Sequence, residues 1–566
     1  MPPDPSLPPA FYYLSNFERA LEWIGARYGD VLDAGEHAFL YAFAALPRPS
    51  RALLVRMLMR KGPLFRESKL VYDEIGPTRL AAAALVELGW VDPAPALSLD
   101  QLFALSTRAE LARRFASPPP GGAAARKGDL LEWLRGAHDG AHPFAHWQPA
   151  LDDRVLEVTV GPLCDRLRLM FFGNLHQDWS EFVLADLGVF QYEQVPFAPS
   201  SRAFQQRADV DAYLALDGCR EALGAWPDDT PLDALAEHAG ALDCGNAWLA
   251  QRRAKLLFQI GQAGERRAEW DGALAAYARS GWPGSRHRRV RVLERSGRGG
   301  DALALAEQAA RQPESEEEQQ RIARMLPRLR RREGRETARA ARASPIPRGV
   351  LAIAPPDPPV SVETAVRDHL TRHDAPVHYV ENTLINSLFG LLCWEPVFAA
   401  LPGAFFHPFQ RGPADLHAPD FRQRRAARFD ACLAQLDSGQ YRDTILRHAA
   451  SKAGLQSPFV FWGALDDALL GQALDCLPAA HLRLWFERLL QDIRGNRSGL
   501  PDLVRFWPAE RRYELIEVKG PGDRLQDNQI RWLTYCVAHG MPVRVLDVQW
   551  TDAAPSAGAH DAGAAA

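Results

Sequence analysis

The chain has 566 residues, 47% of them hydrophobic and 24% charged, with a formal net charge of −4 at pH 7. That composition excludes wholesale disorder, and the length exceeds what one hydrophobic core organises, so about three to five domains are expected. The mild negative charge supplies no global attraction to nucleic acid, which leaves a local basic patch as the only way to bind it.

The longest apolar runs, residues 80–88 and 459–465, fall well short of the roughly 20 residues that a membrane-spanning helix needs, so no membrane contact is expected. The start, MPPDPSLPPAFYYL, carries neither the basic residues nor the apolar stretch of a secretory signal, and the expected compartment is the cytoplasm. Seven cysteines, at 164, 219, 244, 393, 432, 476 and 536, stand singly with no Cys-x-x-Cys spacing and read as reduced core residues. Basic charge rests almost wholly on arginine, since the lysines are only Lys61, Lys69, Lys127, Lys255, Lys452 and Lys519. That scarcity makes each lysine informative.

From residue 11 to about 88 the apolar spacing is helical, with Ser50 a candidate N-cap ahead of ALLVRMLMRKG. Arg56 and Arg60 are four apart beside Lys61, with Arg66 and Lys69 following. They form a candidate ridge for phosphate contacts, or else an ordinary solvated face. Residues 1–95 thus read as a helical DNA-binding domain. Next, LSLDQLFALSTRAELARRF, the loop SPPPGGAAA and RKGDLLEWLRG give two short helical units, with Arg126 and Lys127 opening the second. This stretch, 96–140, resembles the small SAP DNA-binding module.

Residues 141–230 form a connecting region with strand-like runs at 155–160, 167–172 and 182–190. From 231 to 343 the pattern is helical, and LLFQIGQAGERRAEWDGALAAYARS is echoed by VRVLERSGRGGDALALAEQAARQ, each a helix, a glycine break and an Ala-rich helix. The pairs resemble tetratricopeptide units, although the offset of about 29 residues is short of that repeat. Ten arginines between Arg321 and Arg348 could follow a DNA backbone or simply be exposed helix and linker. The proline-rich 344–360 reads as a linker, 361–552 as the last domain, and the Ala/Gly-rich 553–566 as a disordered tail.

Chemistry concentrates in GLPDLVRFWPAERRYELIEVKGPGDRLQDNQIRWLTYCVAHGMPVRVLDV. It parses as strand, turn, strand, amphipathic helix, strand. Period-two alternation puts Glu517 and Lys519 on one strand face, and Asp502 opens the strand expected beside it. Phosphodiester hydrolysis needs carboxylate oxygens to hold a hard cation and an amine to act on water or on developing charge, and Asp-(x)14-Glu-x-Lys carries both. A cross-strand ion pair is the plain structural alternative. Charged residues within apolar strands, however, need a partner to offset desolvation, and a metal would be one.

GLPDLVRFW followed by IEVKGPGDRLQDNQIRWL resembles the VRR-type PD-(D/E)XK domain of the Fanconi-associated nuclease family, in a bacterial form. HYVENTLINSLFGLLCWEPVF, QRGPADLHAPDF, FYYLSNFERALE and KLVYDEIGPTRLAAAALVELGWV extend the resemblance over nearly the whole chain. It implies a multidomain protein, mostly α-helical in its N-terminal and tetratricopeptide-like regions, with a C-terminal α/β restriction-endonuclease-like nuclease domain. It further implies 5′-flap endonuclease and 5′-to-3′ exonuclease activity in interstrand crosslink repair, with Mg²⁺ or Mn²⁺ as cofactor and branched or 5′-flap DNA as partner. Glu381, Asp502 and Glu517, with the Val518 carbonyl, would be metal ligands and Lys519 the catalytic lysine. Arg524, beside Asp523 at the expected start of the next helix, would contact substrate or belong to a cap. Arg494 and Arg497 would hold a terminal phosphate, or Arg497 would brace the turn into the strand. No Cys-rich ubiquitin-binding finger is present, so ubiquitin recruitment is not implied, and a nucleoid-associated cytoplasmic location is. The competing readings are a PD-(D/E)XK junction resolvase and a non-catalytic scaffold for branched DNA. The spacing of His378, His407 and His417 fits no common metal-ligand pattern, and these read as structural.

Overall fold

The computed structural model describes residues 11–115, 126–138, 140–181, 190–336 and 345–551. It divides into two units, one formed by 1–191, 197–211 and 406–409, the other by 192–196, 212–405 and 410–566.

The first unit opens with helices Tyr12–Tyr28, Ala34–Ala45 and Arg48–Leu58. Asp33 caps the second through a capping box with Glu36, but Ser50 is buried inside the third helix, which starts at Arg48 with no side-chain cap. The expected N-cap is therefore corrected: Pro47 and Pro49 already set the first turn, where proline costs no hydrogen bond. Strand β1 (Leu64–Arg66), helix Thr78–Glu87 and β2 (Val91–Asp92) follow, and β5 (Val155–Val158) lies antiparallel between β1 and β2.

Between them sits the SAP-like region, a β3 (Ala96–Leu97) and β4 (His142–Pro143) pair with helices Leu99–Leu105, Arg108–Arg114 and Lys127–Arg135. Ser98 with Gln101 and Thr107 with Glu110 form capping boxes, as S/T-x-x-E/Q should. Leu102, Leu111, Leu134 and Trp147 fill its core. The SPPPGGAAA loop, like the expected strand at 182–190 save its last residue, lies outside the described residues. The run 167–172 is the end of a helix, Gly161–Phe172, rather than a strand. The run LRLMFF, with only Arg168 between apolar residues, is too short to separate a helical period from a strand's alternation.

In the second unit, helices Ala247–Arg266, Trp270–Ser280, Ser285–Arg295, Gly299–Arg311 and Glu316–Arg332 stack pairwise in sequence order. The two echoing sequences are indeed two helix pairs. Only the second breaks at a glycine, Gly297; in the first, Gly261 and Gly264 lie inside the helix, which turns at 267–269. The start of the arginine-rich segment, Arg321 to Arg332, lies in the last of these helices, and most of its described arginines pair with acids of the fold. Arg321 pairs with Glu317, Arg324 with Asp527, Arg328 and Arg332 with Glu294, and Arg330 and Arg335 with Glu307.

The last domain is built on a five-stranded sheet of order β6-β10-β9-β8-β7, with β6 Arg348–Ile353, β7 Val377–Tyr379, β8 Leu503–Trp507, β9 Arg512–Lys519 and β10 Val543–Trp550. β6, β10 and β9 run parallel, while β8 and β7 are antiparallel to their neighbours. The stretch expected to be a linker thus contributes the edge strand β6, tied to β10 by Arg348 to Asp547 at 2.6 Å. Helix Asp527–Ala538 makes the β9-to-β10 crossover. Leu503, Ile516, Val518, Leu546 and Val366 form the core against one face of the sheet.

Candidate active site

The β8–β9 hairpin pairs Leu503 with Ile516, which brings Asp502, just ahead of β8, level with Glu517 and Val518. Asp502 Oδ2 accepts the Val518 N–H at 2.8 Å, so the carboxylate is fixed against the main chain of the neighbouring strand. Pairing of Tyr379 with Leu503, and the Val380 N–H on the Asp502 carbonyl at 2.8 Å, bring in β7 and, two residues beyond its end, Glu381. Three neighbouring strands, β7, β8 and β9, thus carry the four residues at or near their ends.

All but Glu381 are buried: Asp502 is 6% exposed, Glu517 0% and Lys519 8%. Lys519 Nζ stands 2.8 Å from Glu517 Oε1, and Glu517 Oε2 meets no donor. Burial pushes the Glu517 carboxyl well above the usual carboxylate range, the Asp502 charge adds to this, and Lys519 opposes it. Asp502 is raised in the same way by burial, against the pull of the Val518 N–H and of Lys519. A buried carboxylate oxygen with no partner is costly unless something else compensates it, and an all-oxygen donor set suits a hard divalent cation. The residues therefore fit such an ion. Among the described residues no three acids or histidines are already gathered as a cage. The Glu381 carboxylate accepts from Tyr379 Oη at 2.6 Å and from Asn382 Nδ2 at 3.1 Å.

The other expected site residues fall elsewhere. Arg497 donates to the Pro458 carbonyl and lies over the Phe459 ring at 4.9 Å. Arg494 stacks on Trp282 at 4.4 Å. Asp523 does not open the helix: its Oδ2 accepts the Gly520 N–H at 3.0 Å and its N–H returns to the Gly520 carbonyl at 3.1 Å, closing a turn after β9. The helix begins at Asp527, leaving Arg524 exposed on the approach. In the first unit Arg56 is held by Glu74 at 2.7 Å over the Tyr13 ring, and Arg66 is buried between Glu110 and Asp153 at 2.7 Å each, so neither belongs to a free ridge. Arg60 and Lys61 are exposed. Arg126 is exposed at the start of its helix, while the Lys127 ammonium caps the Ser106 carbonyl at 2.8 Å. Tyr379 and Asn382, which orient Glu381, were missed; they flank it in HYVENTL, but nothing in the spacing distinguishes them.

A mixed sheet presenting buried carboxylates and a lysine from a β-hairpin is the architecture of a metal-dependent phosphodiesterase. Family models match in agreement: VRR-NUC domain at 436–550, FAN1 HTH domain at 11–92, and Fanconi anemia-associated nuclease SAP domain at 96–147. The chain is 56% identical to the Fanconi-associated nuclease 1 homolog of Pseudomonas aeruginosa over 96% of its own length and 97% of that protein's. It is 25% identical to the Arabidopsis thaliana homolog over 95% of its length and 67% of that one's. A crystal structure of paFAN1 bound to 2-nucleotide 5′-flap DNA with gap superposes with a TM-score of 0.93 at 56% identity, over 97% of this chain and all of that one. This chain belongs to the Fanconi-associated nuclease family, and it is a structure-specific DNA nuclease. No helix among the described residues is long and apolar enough to cross a membrane.

Proposed function

We propose that the chain cuts DNA at 5′ flaps and trims from 5′ ends, that its role is in interstrand crosslink repair, and that Mg²⁺ or Mn²⁺ serves at the site. The observation that carries this is the Glu517 carboxylate, fully buried with an unpartnered oxygen, beside Asp502 and Lys519. Glu381, Asp502, Glu517 and the Val518 carbonyl would hold the cation. When bound, it would neutralise phosphoryl charge and lower the pKa of the attacking water. Lys519 is placed to orient that water or to steady charge developing on the phosphate, as a compact ammonium whose partner carboxylate shares its strand face. Arg60, Lys61 and Arg126 are exposed charges available for duplex phosphates, and Arg524 for the substrate near the site. The relative's complex with flap DNA supports the choice of substrate. The nucleoid-associated cytoplasm of a bacterium is the compartment consistent with this work.

The test is cleavage of labelled 5′-flap, 3′-flap, four-way-junction and linear duplex DNA by the purified chain, with EDTA, Mg²⁺ or Mn²⁺. Metal-dependent cutting favouring the 5′ flap is expected. Preference for the junction would favour the resolvase reading, and binding without cutting would favour the scaffold.

A further inference from the structure

Between β7 and helix Leu384–Leu392 the chain turns through Asn382, whose φ of 52° is left-handed. A non-glycine residue holds that conformation at a cost, least for asparagine, and keeps it where the surroundings over-determine it. Here they do. The Asn382 Nδ2 donates to Glu381 Oε1 at 3.1 Å, and its Oδ1 accepts the Leu500 N–H at 3.1 Å. Its carbonyl accepts from Asn386 Nδ2 at 2.8 Å, and the same Asn386 amide donates to the Arg497 carbonyl at 2.9 Å. Asn386 is 1% exposed. One side chain therefore joins the acid after β7 to the backbone two residues ahead of Asp502, and a buried amide locks the same two segments a turn further on.

We propose that Asn382 is a positioning residue for the metal site, setting Glu381 relative to Asp502 and Glu517. The inference rests on the reading of Glu381 as a ligand. Tyr379 orients the other Glu381 oxygen, but Tyr379 as a residue is 45% exposed, whereas Asn382 is anchored to the segment that carries Asp502. Neighbours that orient a ligand commonly govern 10- to 100-fold of metal affinity, so the effect should be measurable.

Mn²⁺ affinity of the full chain, read from the electron paramagnetic resonance signal of the unbound ion, tests this in the parent, Asn382→Gly, Glu381→Ala and the double variant. Melting temperature and 5′-flap affinity in EDTA are measured alongside. Glycine keeps the left-handed turn while deleting both side-chain bonds. Asn382→Gly should weaken Mn²⁺ by about 10-fold or more, leave DNA affinity unchanged, and add no further loss in the Glu381→Ala background, where the group it orients is gone. Unchanged affinity in Asn382→Gly while Glu381→Ala weakens it overturns this inference alone. Equal losses in both backgrounds also overturn it, because Asn382 would then act on the fold and not through Glu381. Parent-like affinity in Glu381→Ala removes the ligand reading and this inference with it.

Discussion

Glu517 and Lys519 share a strand face and an ion pair, yet they should fail in different ways. Glu517→Gln keeps the shape and removes the charge, so the cation should bind more weakly and part of the activity should return at high Mn²⁺, an ion that suits mixed oxygen donors. Lys519→Ala should leave Mn²⁺ and DNA affinity nearly intact while abolishing turnover, with no rescue by metal. Lys519→Arg should be inactive as well, because a planar fork cannot replace a compact ammonium within a site 8% exposed. Calorimetry of Mn²⁺ binding beside single-turnover cleavage decides this, and normal flap cutting by Lys519→Arg would sink the assignment. A second titratable residue acts on stability. His407 is buried, and its Nδ1 accepts the Phe409 N–H at 3.1 Å, which requires the neutral ring. Burial depresses its pKa from 6.5 to about 3. The unfolded chain therefore binds the extra proton across that window, so the His407 contribution is complete above about pH 6.5 and is lost as the pH falls, by about 1.4 kcal/mol per pH unit. Asn in its place offers an acceptor at the Nδ1 position and cannot ionise. The melting temperature of His407→Asn should fall less steeply between pH 6.5 and 4 than the parent's, even if it starts lower. Parallel curves would refute the point.

At the scale of elements, two glycines show how close approach fixes the architecture. A Cβ on Gly261 would lie 2.8 Å from the Tyr277 ring, and so the helix Ala247–Arg266 can pack directly on Trp270–Ser280. Gly261→Ala should gain about 1 kcal/mol of helix propensity and lose about 1–3 kcal/mol to overpacking, a net drop visible in chemical denaturation. A rise in stability would show that the Tyr277 ring yields freely. Gly499, three residues before Asp502, has φ +91°, and a Cβ there would meet the Asn528 backbone at 2.7 Å. Gly499→Ala should displace the start of β8 and cut activity far more than it cuts DNA binding; parent-like cleavage would refute that. The hairpin β8–β9, the following helix and β10 were legible because short apolar runs, a polar turn and a 3.6 period follow one another without ambiguity. β6 was not, because flanking prolines read as linker and its pairing with β10 spans nearly two hundred residues. Helix Gly161–Phe172 was also signalled, by Pro162 at its start and Gly173 after its end, but the short, mostly apolar LRLMFF outweighed that pattern. In the site, Asp502, Glu517 and Lys519 could be read from spacing, whereas Glu381 came only from family resemblance, since nothing local ties residue 381 to a hairpin more than a hundred residues on.

Across the whole molecule, the question is where arginine does its work. With 66 Lys and Arg against 70 Asp and Glu, and only six lysines, many guanidinium groups are absorbed in ion pairs. The dense segment from Arg321 onward illustrates this: Arg324 grips Asp527 at 2.8 Å and Arg328 grips Glu294 at 2.7 Å, so the helix Glu316–Arg332 is tied both to the helix that follows the catalytic strand and to its own helical neighbours. Density of positive charge in the sequence is therefore a poor guide to the DNA-facing surface, and exposure without a partner is a better one. Arg60, Lys61 and Arg126, exposed and in no ion pair with an acid among the described residues, are the proposed phosphate-contacting charges. Each phosphate contact contributes about 0.9 to the slope of log affinity against log salt. Replacing all three by alanine should therefore flatten the salt dependence of 5′-flap binding by up to about 3 and leave the single-turnover rate of bound substrate unchanged. Replacing Arg324 and Arg328 by alanine should lower the melting temperature and leave that slope alone, because the charges removed are already neutralised inside the fold. Affinities measured from 50 to 300 mM salt distinguish the two sets, and a slope that moves with Arg324 and Arg328 but not with Arg60, Lys61 and Arg126 would reverse the assignment of the DNA-binding charges.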